Sequence, residues 1–193
     1  SKHYLNNLSK TPINRFSIGI QSFFDDDLQL MNRRHTAEEA IQSLNLLREF
    51  EYKNISVDLI YGLPNQTIKK WEKNLDLFLE FNVPHLSAYH LTYEPKTVFQ
   101  SYLQKGKIKA IEETVSLQQF NLLKEKTKEN NFIHYETSNF AKDGFYSKHN
   151  SNYWKDKSYL GIGPSAHSYD GESRQYNVKN LKKYIEGVKE NTI

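Results

Sequence analysis

The chain has 193 residues, 37 % apolar composition, a net charge of +3 and no cysteine. That length fits one domain or one large piece of a domain, with a modest core to which 13 Tyr and 11 Phe bring much of the area. The charge is too mild and too evenly spread for a nucleic-acid surface, no apolar window is long enough to span a membrane, and no signal pattern opens the chain, so a cytoplasmic protein is expected; the missing thiols exclude disulfides and any iron–sulfur or zinc site built on Cys from this chain.

The opening KHYLNNLSK reads as a helix already under way, as in a trimmed chain. RFSIGIQSF then alternates, with Phe16, Ile18 and Ile20 on one parity and Ser17, Gly19 and Gln21 on the other, which is a strand signal. In TAEEAIQSLNLLREF, Thr36 and Glu39 have capping-box spacing, and Ile41, Leu44, Leu47 and Phe50 follow at helical intervals. NISVDLI alternates again, Ile55, Val57 and Leu59 against Ser56 and Asp58. Beyond the YGLP turn, Trp71, Leu75, Phe78 and Leu79 mark a second amphipathic helix, and HLSAYHLTY a third strand.

Strand, helix, strand, helix, strand is a parallel βαβαβ run, with right-handed crossovers and ligands at the carboxyl ends of the strands. Helices cover the apolar parity, so Ser17, Gly19, Gln21, Ser56 and Asp58 face the other way, into the lumen if the sheet curls towards a barrel. From Glu94 the pattern turns polar. A long helix is expected from about Glu112 to Asn130, then loops and short strands, then a closing helix in NVKNLKKYIEGVKE. The expected class is α/β: residues 1–105 form part of an incomplete parallel β/α barrel, and residues 106–193 a smaller α+β region.

Asp58 could simply bond a neighbouring backbone N–H. Its company argues for more: Gln21 and Asp58 end neighbouring strands, with Arg33 and Arg34 in the link between them. A carboxylate and an amide suit ribose hydroxyls, and a guanidinium suits a carboxylate. GIGPSA, residues 161–166, echoes a dinucleotide fingerprint but has no helix after it, so it reads as a tight turn. His85 and His90 read as packed strand residues, and no HExxH or i, i+4 histidine pair points to zinc. HNSNYW, residues 149–154, sits in polar loop sequence where Tyr153 and Trp154 have no periodic reason to be. It is either a local aromatic staple or a site for a flat, partly apolar ligand with His149 as iron ligand or hydrogen-bond partner.

With these residues in hand, the chain resembles the oxygen-independent coproporphyrinogen III oxidases and related haem chaperones of the radical S-adenosylmethionine (SAM) superfamily. The segments NRFSIGIQSF, NRRHTAEEA, VDLIYGLPNQT, LSAYHLTYEP, YETSNFAKDG, HNSNYW and YLGIGPSAHS occur in family order. The resemblance implies an incomplete β/α barrel of radical SAM type, with Gln21, Arg33 and Asp58 as SAM contacts and Thr92 as a further one on the third strand. It implies a 4Fe–4S cluster held by a three-Cys motif upstream of the matched region, so that this chain corresponds to a C-terminal half that performs no radical chemistry alone. The HNxxYW pattern, here His149, Asn150, Tyr153 and Trp154, marks the chaperone branch. It implies haem as ligand, with His149 on the iron, His167 as the rival ligand, and a haem-accepting protein as possible partner. Oxidative decarboxylation of coproporphyrinogen III is the alternative. An unrelated β/α enzyme for a phosphorylated substrate would need a Gly-rich turn leading into a helix, and the sequence has none.

Overall fold

The structure is a computed structural model and describes residues 1–190. The chain forms two compact units, Ser1–Tyr146 and the segment from Ser147 onward. In the first unit the order is α1 (Lys2–Leu8), β1 (Arg15–Gln21), α2 (Asp25–Leu30), α3 (Ala37–Glu49), β2 (Asn54–Tyr61), α4 (Ile68–Glu80), β3 (His85–His90), α5 (Val98–Gln104), α6 (Glu113–Glu129), β4 (Ile133–Glu136) and β5 (Asn139–Ala141).

The expected βαβαβ run is present, and β1, β2 and β3 pair in parallel. The sheet is open rather than a closed barrel, in the order β1-β2-β3-β5-β4, with β1 as an unpaired edge among the described residues. β5 runs antiparallel to both β3 and β4, and these short strands lie in the region expected to be α+β. Only Thr137 and Ser138 link β4 to β5, and so short a connection makes a hairpin, never a crossover.

Helix ends follow side-chain chemistry. Thr36 Oγ1 accepts the Glu39 N–H at 3.2 Å while the Glu39 carboxylate takes the Thr36 N–H at 2.9 Å, the reciprocal cap expected for α3. Thr67 caps α4 and Thr97 caps α5 in the same one-sided way. Two short helices of this unit, α2 and α5, are absent from the sequence reading. α2 begins with Asp25, Asp26 and Asp27, three carboxylates at the positive end of the helix dipole, and its six residues are too few to show a periodicity.

Parity divides the sheet as expected. One face carries Ile20, Ile55, Val57, Leu59, Leu86, Ala88 and Phe140, which join Leu44 and Leu47 of α3, Trp71, Leu75 and Phe78 of α4 and Leu123 of α6 in one buried cluster. Each such side chain contributes about 1.5–3 kcal/mol through area removed from water. The turn after β2 is locked from the helix layer: Gln119 of α6, fully buried, accepts the Gly62 N–H at 2.9 Å and donates to the Gln66 carbonyl at 3.0 Å. Gly62 sits at φ 76°, and a Cβ there would stand 2.5 Å from His90 Nε2. His90 is therefore not a packed residue in the strand interior. It is exposed at the last position of β3, lies over the glycine, and bonds Ser116 at 2.7 Å.

The second unit contains α7 (Lys148–Trp154), β6 (His167–Tyr169), β7 (Arg174–Tyr176) and α8 (Leu181–Glu190). α8 is the expected closing helix. HNSNYW, read as loop, lies instead in α7, whose first turn is capped by Ser147 Oγ accepting the Asn150 N–H. Seven residues span two turns, too short a window for helical periodicity to stand out. GIGPSA forms a turn, as expected, pinned by the Asn177 amide donating to the Gly161 and Gly163 carbonyls at 3.1 and 2.9 Å. No described helix is long and apolar enough to cross a membrane.

Candidate functional site

The polar face of the first unit's sheet is built by register. Arg15 and Ser17 of β1 lie beside Asn54 and Ser56 of β2, Asp58 lies beside Ser87 of β3, and Ser87 beside Asn139 of β5. Asp58 accepts hydrogen bonds from Ser87 and from Ser17 Oγ, the latter at 3.4 Å. Partial burial raises its pKa, and Ser87, Ser17 and the positive charge of Arg15 oppose that rise. The sequence reading put Asp58 at a strand end; β2 continues through Ile60 to Tyr61, which leaves the carboxylate inside the sheet face.

Gln21 does close β1, at φ 70° and beside a register slip between Ile18 and Gln21. That reversal folds its side chain back along the strand: a Cβ on Gly19 would stand 2.5 Å from Gln21 Nε2. Gly19 is thus the space that the Gln21 amide occupies, on the face that carries Ser17. Arg33 and Arg34 follow α2 in the link from β1 to α3. Both are exposed beyond α2, and neither forms an ion pair among the described residues. Thr92 lies two residues past the end of β3, exposed, and not on the strand as expected. The cation that acts on Asp58 is Arg15, whose guanidinium bonds Asn54 Oδ1 and the Phe145 carbonyl. It was not singled out from the sequence, although it shares the odd parity of Ser17, Gly19 and Gln21.

Beside this patch runs a buried chain of hydrogen bonds: Ser56 Oγ to His85 Nδ1 at 2.7 Å, and His85 Nε2 to Tyr135 O–H at 2.7 Å. Burial, aided by the charge of Arg15, lowers the His85 pKa to about 4. The unfolded chain then binds more protons than the folded one between the ordinary value near 6.5 and about 4. His85's contribution is complete above that window and is lost as pH falls through it, by roughly 3 kcal/mol in all. Urea midpoints measured from pH 7 to pH 4 should fall less steeply in His85→Gln than in the parent; equal slopes would exclude His85 as the titrating group.

The polar face is rich in acceptors. Asn139, 3 % exposed, donates its amide N–H to Glu136, while its Oδ1 is buried and without a hydrogen-bond partner. The Asp58 carboxylate suits a ligand that brings donors, such as an ammonium group or sugar hydroxyls.

In the second unit, α7 sets His149 and Tyr153 one turn apart, with ring centroids 5.1 Å apart and edge-on at 87°. Tyr153 stacks on towards Tyr159 at 4.9 Å, and Tyr159 towards Tyr169 at 6.2 Å. His149 is exposed and Trp154 is 70 % exposed. Adjacent helix positions diverge, and no hydrogen bond among the described residues joins Asn150 to the imidazole, so Asn150 does not fix its tautomer. An accessible imidazole among exposed rings fits a flat, partly apolar ligand. His167, the rival, is exposed at the start of β6 with its ring 5.9 Å from Tyr176.

Comparison with known proteins narrows the reading. The profile of the radical SAM superfamily matches residues 1–78. The heme chaperone HemW of Bacillus subtilis is 38 % identical over 183 residues, covering 95 % of this chain and 48 % of that protein. HemW of Lactococcus lactis is 33 % identical over 181 residues, 94 % of this chain and 48 % of that protein. Coproporphyrinogen III oxidase HemN of Escherichia coli, a radical SAM enzyme of solved structure, matches with a TM-score of 0.80 at 25 % identity over 100 % of this chain and 47 % of its own. The chain spans about half the length of the relatives it matches. Its first 78 residues match the radical SAM superfamily, and along most of its length it is similar to the haem chaperones named HemW and to coproporphyrinogen III oxidase.

Proposed function

We propose that the chain is part of a haem chaperone that also binds SAM. The observation that carries this reading is α7: His149 stands exposed, one turn from Tyr153 on the helix that also carries the exposed Trp154, and relatives of the chain are named for haem. On this reading His149 ligates the iron, while Tyr153 and Trp154 pack against the porphyrin and Asn150 lies at the rim. The haem is cargo for an accepting protein, and the protein is cytoplasmic.

SAM is held on the other unit by Asp58 and Gln21, with Arg33 and Thr92 reaching it from exposed positions. The acceptor-rich face supports this, because SAM offers an ammonium group and ribose hydroxyls. A 4Fe–4S cluster, when bound, supplies the electron that cleaves SAM; this chain has no Cys to hold it. Ser17 and Ser87 orient the Asp58 carboxylate, and with Arg15 they oppose the rise in its pKa that burial causes, which favours the ionised form a donor-bearing ligand needs.

The second reading, coproporphyrinogen III oxidase, is favoured by the structural match to HemN over the whole chain. Titrating haem into a form of the protein that includes the implied cluster-binding cysteines, and assaying coproporphyrinogen III turnover alongside, separates the two. Stoichiometric haem binding without turnover is expected. Turnover without stable haem binding would replace the chaperone by the oxidase.

A further inference from the structure

The N-terminal edge of the sheet, at the opposite end of the strands from Gln21 and Gly62, carries a cavity of about 490 Å³. It opens where three connections meet: the turn from α3 into β2, the turn from α4 into β3, and the segment after β5. Both turns reverse through a non-glycine residue in the left-handed region, Glu51 at φ 59° and Asn82 at φ 51°. The reversals place Tyr52 and Lys53 on one side of the cavity and Val83 on the other, over a floor that includes the buried Leu44 and Ile55.

Chemistry around the opening is one-sided. Arg48, Lys53 and Lys142 line it, and Glu51 is the single acid among the lining residues. Neither Arg48 nor Lys53 forms an ion pair among the described residues. Lys142 Nζ is held by a neutral acceptor, Asn82 Oδ1, at 2.5 Å, and lies over the Phe132 ring, 5.5 Å from its centroid. Tyr52 stacks edge-on to Phe16 at 4.5 Å, and its hydroxyl is buried with no hydrogen-bond partner.

An apolar floor with the unpaired Arg48 and Lys53 beside it, in a volume within the range of small-molecule pockets, complements one ligand class. We propose that this cavity is a second ligand site, for a small anion with a flat apolar body and a single carboxylate or phosphate. The site stands apart from the polar sheet face and does not rest on the haem or SAM reading.

The test is an amide-resolved NMR titration of the isotope-labelled chain with benzoate, phenyl phosphate and, as the neutral control, benzyl alcohol. At least one anion should shift the amides of residues 51–53 and 81–83 and bind about tenfold tighter than the alcohol. Comparing benzoate with phenyl phosphate tells which anionic group the site prefers. The exposed pair Arg48→Gln with Lys53→Gln should weaken the preferred anion about tenfold while leaving thermal unfolding unchanged. Anions that bind no tighter than the alcohol, shifts that map elsewhere, or full affinity in the double variant would overturn the assignment.

Discussion

Replacing Trp71 by alanine should cost about 3–5 kcal/mol, a large share of the stability of an ordinary domain. Trp71 is fully buried, its ring lies 5.4 Å from Tyr61, and its indole N–H donates to the Gln119 carbonyl at 3.0 Å. The loss therefore has two parts, a cavity between α4 and α6 and the indole hydrogen bond to the residue whose side chain fastens the Gly62 turn. Trp71→Phe keeps most of the packing and loses the N–H, so it should cost about 1–2 kcal/mol. Urea unfolding of the two variants measures both parts. A loss below about 1 kcal/mol in Trp71→Ala would mean that this layer is not the core described here.

Asp58→Asn should separate folding from ligand binding. Burial raises the Asp58 pKa, so the ionised group destabilises the fold at neutral pH; its favourable share is present below the ordinary carboxylate range and is lost as pH rises through the raised value. The neutral amide removes that penalty. The variant should match or exceed the parent's stability at pH 7 and lose the advantage in acid. Its SAM affinity, measured in a form that includes the implied cluster-binding cysteines, should fall about ten- to a hundredfold, the worth of one charge-assisted hydrogen bond. The chain as it stands, with only part of the shell, should bind SAM weakly or not at all. Unchanged SAM affinity in the longer variant would mean that another carboxylate holds the ligand.

Much of the first unit was legible because its signals are local. The alternation in β1 and β2 fixes which side chains meet the helices, and Thr36 with Glu39 announces α3 before any tertiary contact is known. Legibility ended where geometry depends on neighbours. Nothing in RFSIGIQ says that Gln21 reverses at φ 70° and folds over Gly19, because that reversal answers a register slip against β2. Arg15 acts on Asp58 across a strand pair, a relation that appears only once register is known. Likewise the hairpin of β4 and β5 joins β3 from far along the chain, beyond the reach of periodicity. α7 is a different failure: Ser147 was available as a cap, but two turns of Asn, Ser and aromatic residues resemble a loop until the cap is seen to close.

The measurement that bears most directly on the haem reading is an absorbance titration of haem into the parent protein, His149→Ala and His167→Ala, with circular dichroism as the control for folding. His149 is exposed on α7 and is not a core residue, so its removal should leave the fold intact. The account predicts weaker haem binding and a shifted Soret band in His149→Ala, with a smaller effect in His167→Ala. Haem spectra and affinity unchanged by His149→Ala would contradict it and leave coproporphyrinogen III oxidase as the better reading.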